Sequence, residues 1–85
     1  MNRIDYSKLR SLTARELIRS LIRDGFYLDR QSGSHQQYYH PDGRRVTVSF
    51  HSLDNTFRPK TLKSMIEKQA KWTEQDLIRL NIYEG

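Results

Sequence analysis

The chain of 85 residues contains no cysteine, which excludes disulfides, thiolate metal ligands and a cysteine nucleophile together. No apolar run approaches the roughly 18 residues of a membrane span, and no apolar segment of the secretory-leader kind is present. A soluble protein that stays in the cytoplasm is the expectation. Internal repeats, low-complexity tracts and Ser/Gly-rich linkers are lacking as well, so one domain is read over residues 1–85. Hydrophobic residues are also scarce, at 35%, and mean hydropathy is −0.87. Five Tyr, three Phe and one Trp nevertheless supply enough large apolar surface to argue against disorder. A chain this short buries only about 60% of its unfolded surface, so modest stability is expected.

What is present in excess is positive charge. Fifteen Lys and Arg against ten Asp and Glu leave +5 on a small body, with a pI near 9.8. Such an excess concentrates polyanions at the surface and speeds their encounter with it, which makes nucleic acid the leading partner class.

Hydrophobic spacing then sets the layout. Residues 1–11 have no clean period and read as a loosely ordered lead-in. Thr13 followed by Glu16 forms a capping-box pattern, with Leu12 and Leu17 placed as a hydrophobic staple. Leu17, Ile18, Leu21 and Ile22 recur at helical spacing, and Gly25 supplies the stop. Three short strands follow: 26–30, with Phe26 and Leu28 on one side, then 35–40 and 45–50 around a Pro41-Asp42-Gly43 turn. Pro59 opens a second helix whose stripe is Leu62, Met65, Ile66 and Ala70. Thr73 caps a short last helix with Leu77, Ile78 and Leu80 as its buried side, and Trp72 reads as packing between the last two helices. The order α-β-β-β-α with a short C-terminal helix predicts an α+β two-layer sandwich, with helices on one face of the sheet and the other face open.

Strand parity turns this layout into chemistry. If the Pro41-Asp42-Gly43 hairpin closes as a three-residue loop with a bulge, Tyr38 shares a face with Val46 and Val48. His35, Gln37 and Tyr39 then point to the open face beside Arg45, Thr47 and Ser49, with His51 diagonal to His35; a slip of one residue reverses the assignment. Histidines beside cations are the parts needed for RNA strand scission. One group takes the ribose 2′-OH proton, another protonates the leaving 5′-oxygen, and cations stabilise the phosphorane. Histidine suits either role near neutral pH. With the 2′-OH as nucleophile no metal or other cofactor is needed, and a zinc site from three histidines lacks supporting Cys or clustered carboxylates. The bland alternative is that histidines on a basic protein are solvated surface.

The segments Asp24-Gly25-Phe26, Gly33-Ser34-His35, His40-Pro41-Asp42-Gly43, Val46-Thr47-Val48 and Thr61-Leu62-Lys63-Ser64-Met65-Ile66 together resemble the HicA family of toxins. The likeness runs over about residues 12–80, in the family's order and spacing. It implies a fold like the double-stranded RNA-binding domain and a ribonuclease of a type II toxin–antitoxin system that cleaves mRNA. It also implies a HicB-like antitoxin that covers the active site in a hetero-oligomer. The family's catalytic histidine follows the Gly-Ser pair, which places it at His35. The sequence departs from the family where many relatives carry proline in place of Ser49, and in the loop 52–57, which lacks the usual Gly, Lys and Glu.

Other candidates are His51 as a second acid/base group, with a plain strand-end histidine as its alternative, and His40 as a turn-shaping residue. Ser34, Arg30, Arg44, Arg45, Lys60 and Lys63 are the expected RNA-binding residues. Lys60 and Lys63 lie in the first turn of the second helix, where they oppose the macrodipole but where a phosphate would be welcome. Tyr27, Tyr38 and Tyr39 could stack on bases, although Tyr38 reads as core. Two rivals to the ribonuclease remain open: a non-catalytic RNA-binding module, and a basic domain that meets an acidic protein.

Overall fold

The computed structural model describes residues 3–84. The first helix, α1 (Ala14–Arg23), begins where the sequence places it. The Thr13 hydroxyl accepts from the Glu16 N–H at 3.2 Å, and Glu16 Oε1 accepts from the Thr13 N–H at 3.0 Å. It ends in a Schellman turn, with the Phe26 N–H on the Leu21 carbonyl and the Gly25 N–H on that of Ile22. Gly25 has φ +105°, and a Cβ there would come 2.8 Å from His40 Nε2, so both backbone and space demand glycine.

Strands β1 (Tyr27–Ser32), β2 (His35–Tyr39) and β3 (Arg45–Ser49) form an antiparallel sheet in sequence order. The β2–β3 hairpin is the three-residue loop with a bulge that the sequence suggests. The Gly43 N–H donates to the His40 carbonyl, the His40 N–H to the Arg44 carbonyl, and Gly43 takes φ +101°. Tyr38 consequently pairs with Val46 and His35 with Ser49. Val46, Val48 and Tyr38 are buried, whereas His35, Gln37, Arg45, Thr47 and Ser49 are exposed.

β1 differs from its expected 26–30. It starts at Tyr27, runs to Ser32, and carries a bulge between Leu28 and Arg30 that leaves Asp29 without a partner. Leu28 pairs with Tyr38 on the helix side of the sheet, yet it is 46% exposed, because β1 is an outer strand and all its residues stay in solvent. Ile22 is likewise exposed rather than core; Ser20 takes the buried place on α1 and donates to the Glu16 carbonyl.

Helix α2 (Pro59–Lys63) starts on Pro59 and continues as a π-helical turn over Ser64–Gln69. Leu62, Met65, Ile66 and Ala70 line its buried side, as their spacing predicts. The wider turn lets the Ala70 N–H reach the Met65 carbonyl at 2.8 Å, and Lys71 in a left-handed conformation (φ 56°) ends it. The Gln69 side-chain carbonyl accepts the outward N–H of Thr47, so α2 closes the free side of β3. Helix α3 (Glu74–Arg79) has its own capping box between Thr73 and Asp76. The described elements form a two-layer α+β sandwich of the double-stranded RNA-binding-domain type, with one apolar cluster between sheet and helices.

Of the lead-in expected to be loosely ordered, residues 1 and 2 lie outside the described residues, and an ordered turn follows them. Residues Tyr6–Leu9 make a 3-10 turn, and Leu9 is buried in the same apolar core cluster as Leu12 and Trp72. The Asp5 N–H donates to the Tyr83 hydroxyl at 2.9 Å, and the Tyr6 hydroxyl donates to Glu67. The segment shows no helical period because a single turn with one buried leucine is too short to have one. Trp72 also reaches beyond its expected helix–helix packing: its indole N–H donates to Asp24 Oδ2 at 2.8 Å, at the end of α1.

Candidate active site

Antiparallel partners share a face, so the open face consists of three rows: Tyr27–Tyr39–Arg45, Arg30–Gln37–Thr47 and Ser32–His35–Ser49. None of these nine residues is a carboxylate and two are arginines, so the face is cationic. Arg30 is there because of the bulge. In an unbroken strand, two residues after Leu28 would fall on the helix side again; the extra residue Asp29 returns Arg30 to the open side.

His35 occupies the first position after the Gly33-Ser34 turn, where Gly33 takes φ +57°. Its Nδ1 lies 2.6 Å from Ser49 Oγ on the neighbouring strand. The hydroxyl pins the ring from one side and leaves Nε2 without a hydrogen bond among the described residues, facing solvent. That is the arrangement a general acid or base needs: one nitrogen held, the other available. Ser49 as the partner of His35 was missed as a role, although the hairpin register implies it: pairing Tyr38 with Val46 puts Ser49 opposite His35.

His51 is not diagonal to His35 on the same face. β3 stops at Ser49, and Asn55 Oδ1 accepts the N–H groups of both His51 and Ser52, bending the chain out of the strand alternation. His51 lines a shallow cleft of about 290 Å³ with Gln31, Gly33, Ser34, Gln36 and Phe50. Gln36 belongs to the helix side of the sheet, where its side-chain Oε1 accepts from the Tyr38 hydroxyl. The His51 cleft therefore lies around the end of the sheet from His35, with the Gly33-Ser34 turn between them. Ser34 lines that cleft, and its backbone carbonyl accepts the Phe50 N–H.

The expected cations divide. Arg45 lies over the Tyr39 ring, 5.1 Å from its centroid, on the open face, and Arg30 joins it there. Arg44 does not. Its guanidinium turns to the helix side, bonds Asp42, the Ala70 carbonyl and Asp24, and sits 4.9 Å from the Phe26 ring. These contacts occupy it as a brace between the hairpin and the ends of α1 and α2, on the other side of the sheet from Arg30 and Arg45. Lys60 and Lys63 are exposed and in no ion pair among the described residues. Lys63 borders a groove with Arg3–Tyr6 and Glu67, on a different part of the surface from His35.

His40 shapes the turn, as its position before Pro41 suggests. Its Nδ1 accepts the Asp42 N–H at 3.1 Å, and its Nε2 lies 2.9 Å from the Asp24 carbonyl. Behind it, Asp24 gathers Trp72, Arg44 and Arg79, the last at 2.5 Å. Burial alone would raise the Asp24 carboxyl, but hydrogen bonds from Trp72 and Arg79, with the charges of Arg79 and Arg44, hold it below the usual carboxylate range. Among the described residues no three His, Asp or Glu side chains converge as a metal site, and no helix is long and apolar enough to cross a membrane.

Comparison with known families matches residues 14–72 to the HicA toxin of bacterial toxin–antitoxin systems. That span holds α1, the whole sheet and α2, with His35 and Ser49 inside it, and leaves out the N-terminal turn and α3. A comparison with curated proteins returns no significant match.

Proposed function

The chain belongs to the HicA toxin family, and from this membership and the open face we propose that it is a metal-independent endoribonuclease acting on mRNA in the cytoplasm. The observation that carries the reading is His35, held through Nδ1 by Ser49 with Nε2 presented on a cationic, uncovered sheet.

In the proposed reaction His35 Nε2 exchanges a proton with the RNA at the scissile phosphate. As base, it takes the ribose 2′-OH proton while the 2′-oxygen bonds to phosphorus; the bond from phosphorus to the 5′-oxygen breaks, and that oxygen takes a proton. The products are a 2′,3′-cyclic phosphate and a 5′-hydroxyl. Acid and base must approach the phosphorus from opposite sides. A strand crossing the Gly33-Ser34 turn has His35 on one side and the His51 cleft on the other, which supports His51 as the second proton carrier. Ser34 and the arginines Arg30 and Arg45 supply donors to the phosphates, with Lys60 and Lys63 as more distant electrostatic contacts. No cofactor enters these steps. A HicB-like antitoxin is proposed to cover the open face in a hetero-oligomer.

The test is scission of labelled single-stranded mRNA in EDTA, wild type beside His35→Ala. The wild type is expected to cut, and the variant to lose about 10²- to 10⁴-fold while keeping its RNA affinity. Equal cleavage by both would move the chemistry to His51. Binding without cleavage by either would make the chain a non-catalytic RNA-binding module.

A further inference from the structure

At the far end of the open face from His35, three flat groups lie in a row across the sheet. Tyr27 of β1 meets Tyr39 of β2 edge to face, with ring centroids 5.7 Å apart, and the Arg45 guanidinium of β3 lies over the Tyr39 ring. No helix among the described residues covers them, Tyr27 is 47% exposed, Arg45 is exposed and Tyr39 half-buried, and their cross-strand contacts order them before any ligand arrives. Packing does not require this: the same positions could be small and polar, as Thr47 and Ser49 are on the neighbouring rows.

We propose that Tyr27, Tyr39 and Arg45 form a subsite that stacks an unpaired nucleobase of the RNA strand whose phosphate lies at His35. The inference rests on RNA being the ligand of this face. Aromatic rings and guanidinium planes hold bases by stacking, and a base is available for that only where it is not already stacked inside a duplex. Tyr39 is four residues from His35 along β2, about 13 Å at ~3.3 Å per residue, so the stacked base lies a short step along the strand from the scissile phosphate. Between the two sites Arg30 offers a cation to the intervening phosphate, and Gln37 and Thr47 offer hydrogen-bonding groups. Because the subsite is pre-ordered, little side-chain entropy is lost on binding. Although the fold is of the double-stranded RNA-binding type, this face is built for a single strand.

The test separates binding from scission by using a 2′-O-methyl oligonucleotide, which lacks the nucleophile. Wild-type protein is titrated with the intact single strand, with a copy bearing abasic residues, and with the duplex. The intact strand is expected to bind about 5- to 150-fold more tightly than the abasic strand, the range that 1–3 kcal/mol per stacked base gives. In the double variant Tyr27→Thr, Tyr39→Val that preference is expected to vanish, while affinity for the abasic strand is kept. The single variant Tyr27→Thr, at an exposed outer-strand position, is expected to lose part of the preference and guards against misfolding of the double variant. Equal affinity of the wild type for intact and abasic strands, or a folded Tyr27→Thr protein with full preference, overturns the proposal. A base-dependent binder that cuts no RNA keeps this inference and ends the ribonuclease reading; a ribonuclease indifferent to abasic substitution does the reverse.

Discussion

At the scale of single residues, the hydroxyl of Ser49 is the least expected part of the site. It stands where many HicA relatives carry proline, a residue with nothing to offer an imidazole, yet here it lies 2.6 Å from His35 Nδ1. A single hydrogen bond is worth about 1 kcal/mol, so Ser49→Ala is expected to slow cleavage about fivefold to tenfold, mainly in kcat, while Ser49→Thr restores it. A purely structural role would leave the ring's tautomer unchanged, so ¹⁵N shifts of His35 in both variants are the deciding measurement. An unchanged imidazole spectrum in Ser49→Ala would remove Ser49 from the site. The place of His35 on the open face was legible from the parity of β2, while the Gly33-Ser34-His35 motif is one of the segments that carry the family resemblance. The role of Arg44 was not legible, because no local pattern says that a hairpin arginine will fold back across the sheet to Asp24 and Ala70, whose positions depend on the packing of α1 and α2.

At the scale of elements, what was legible is what short-range chemistry dictates. The α1 capping box, its glycine stop and the Pro41-Asp42-Gly43 hairpin each need only neighbouring residues, and each forms as the sequence suggests. The β1 bulge and the π turn of α2 were not legible, since both depend on pairing or packing partners distant in sequence. The junction of α1, the hairpin and α3 depends on Asp24, whose side chain is only 7% exposed. Its carboxyl is held below its unfolded value near 3.9, so it contributes stability that is complete above about pH 4 and is lost as pH falls through the lower folded value. Asp24→Asn is expected to cost about 2–3 kcal/mol at pH 7 and to flatten the acid limb of the stability curve. Urea unfolding of both proteins between pH 2 and 7 checks this; parallel acid limbs would show that Asp24 is not the group responsible.

At the scale of the whole molecule, the family match starts at Ala14 and stops at Trp72, yet the described residues outside it are packed onto each other and onto the core. Lys8 donates to the Glu84 carbonyl and lies over the Tyr83 ring, while Arg23 donates to the Leu80 carbonyl. Leu9, from the supposed lead-in, is as deeply buried as the leucines of α1. Leu9→Ala is therefore expected to cost about 2–5 kcal/mol, the range for truncating a buried leucine, whereas a loose tail would cost nothing. A thermal melt distinguishes the two.

The bulge at Asp29 also bears on how copies of this chain treat one another. The two outer strands are guarded differently: α2 takes up the free side of β3 through Gln69, while β1 has no such cover among the described residues and is blunted by its irregularity and by Asp29, which has no partner in the ladder. Removing Asp29 would leave every other pair in register and every side chain on its present face, so the fold and the site would survive. What would be lost is the obstacle to edge-to-edge pairing, and a straight, exposed strand with Tyr27 and Leu28 on its two sides is a template for a second molecule. In this small, basic toxin the extra residue is expected to act against self-association, and its absence to surface first as aggregation rather than as unfolding.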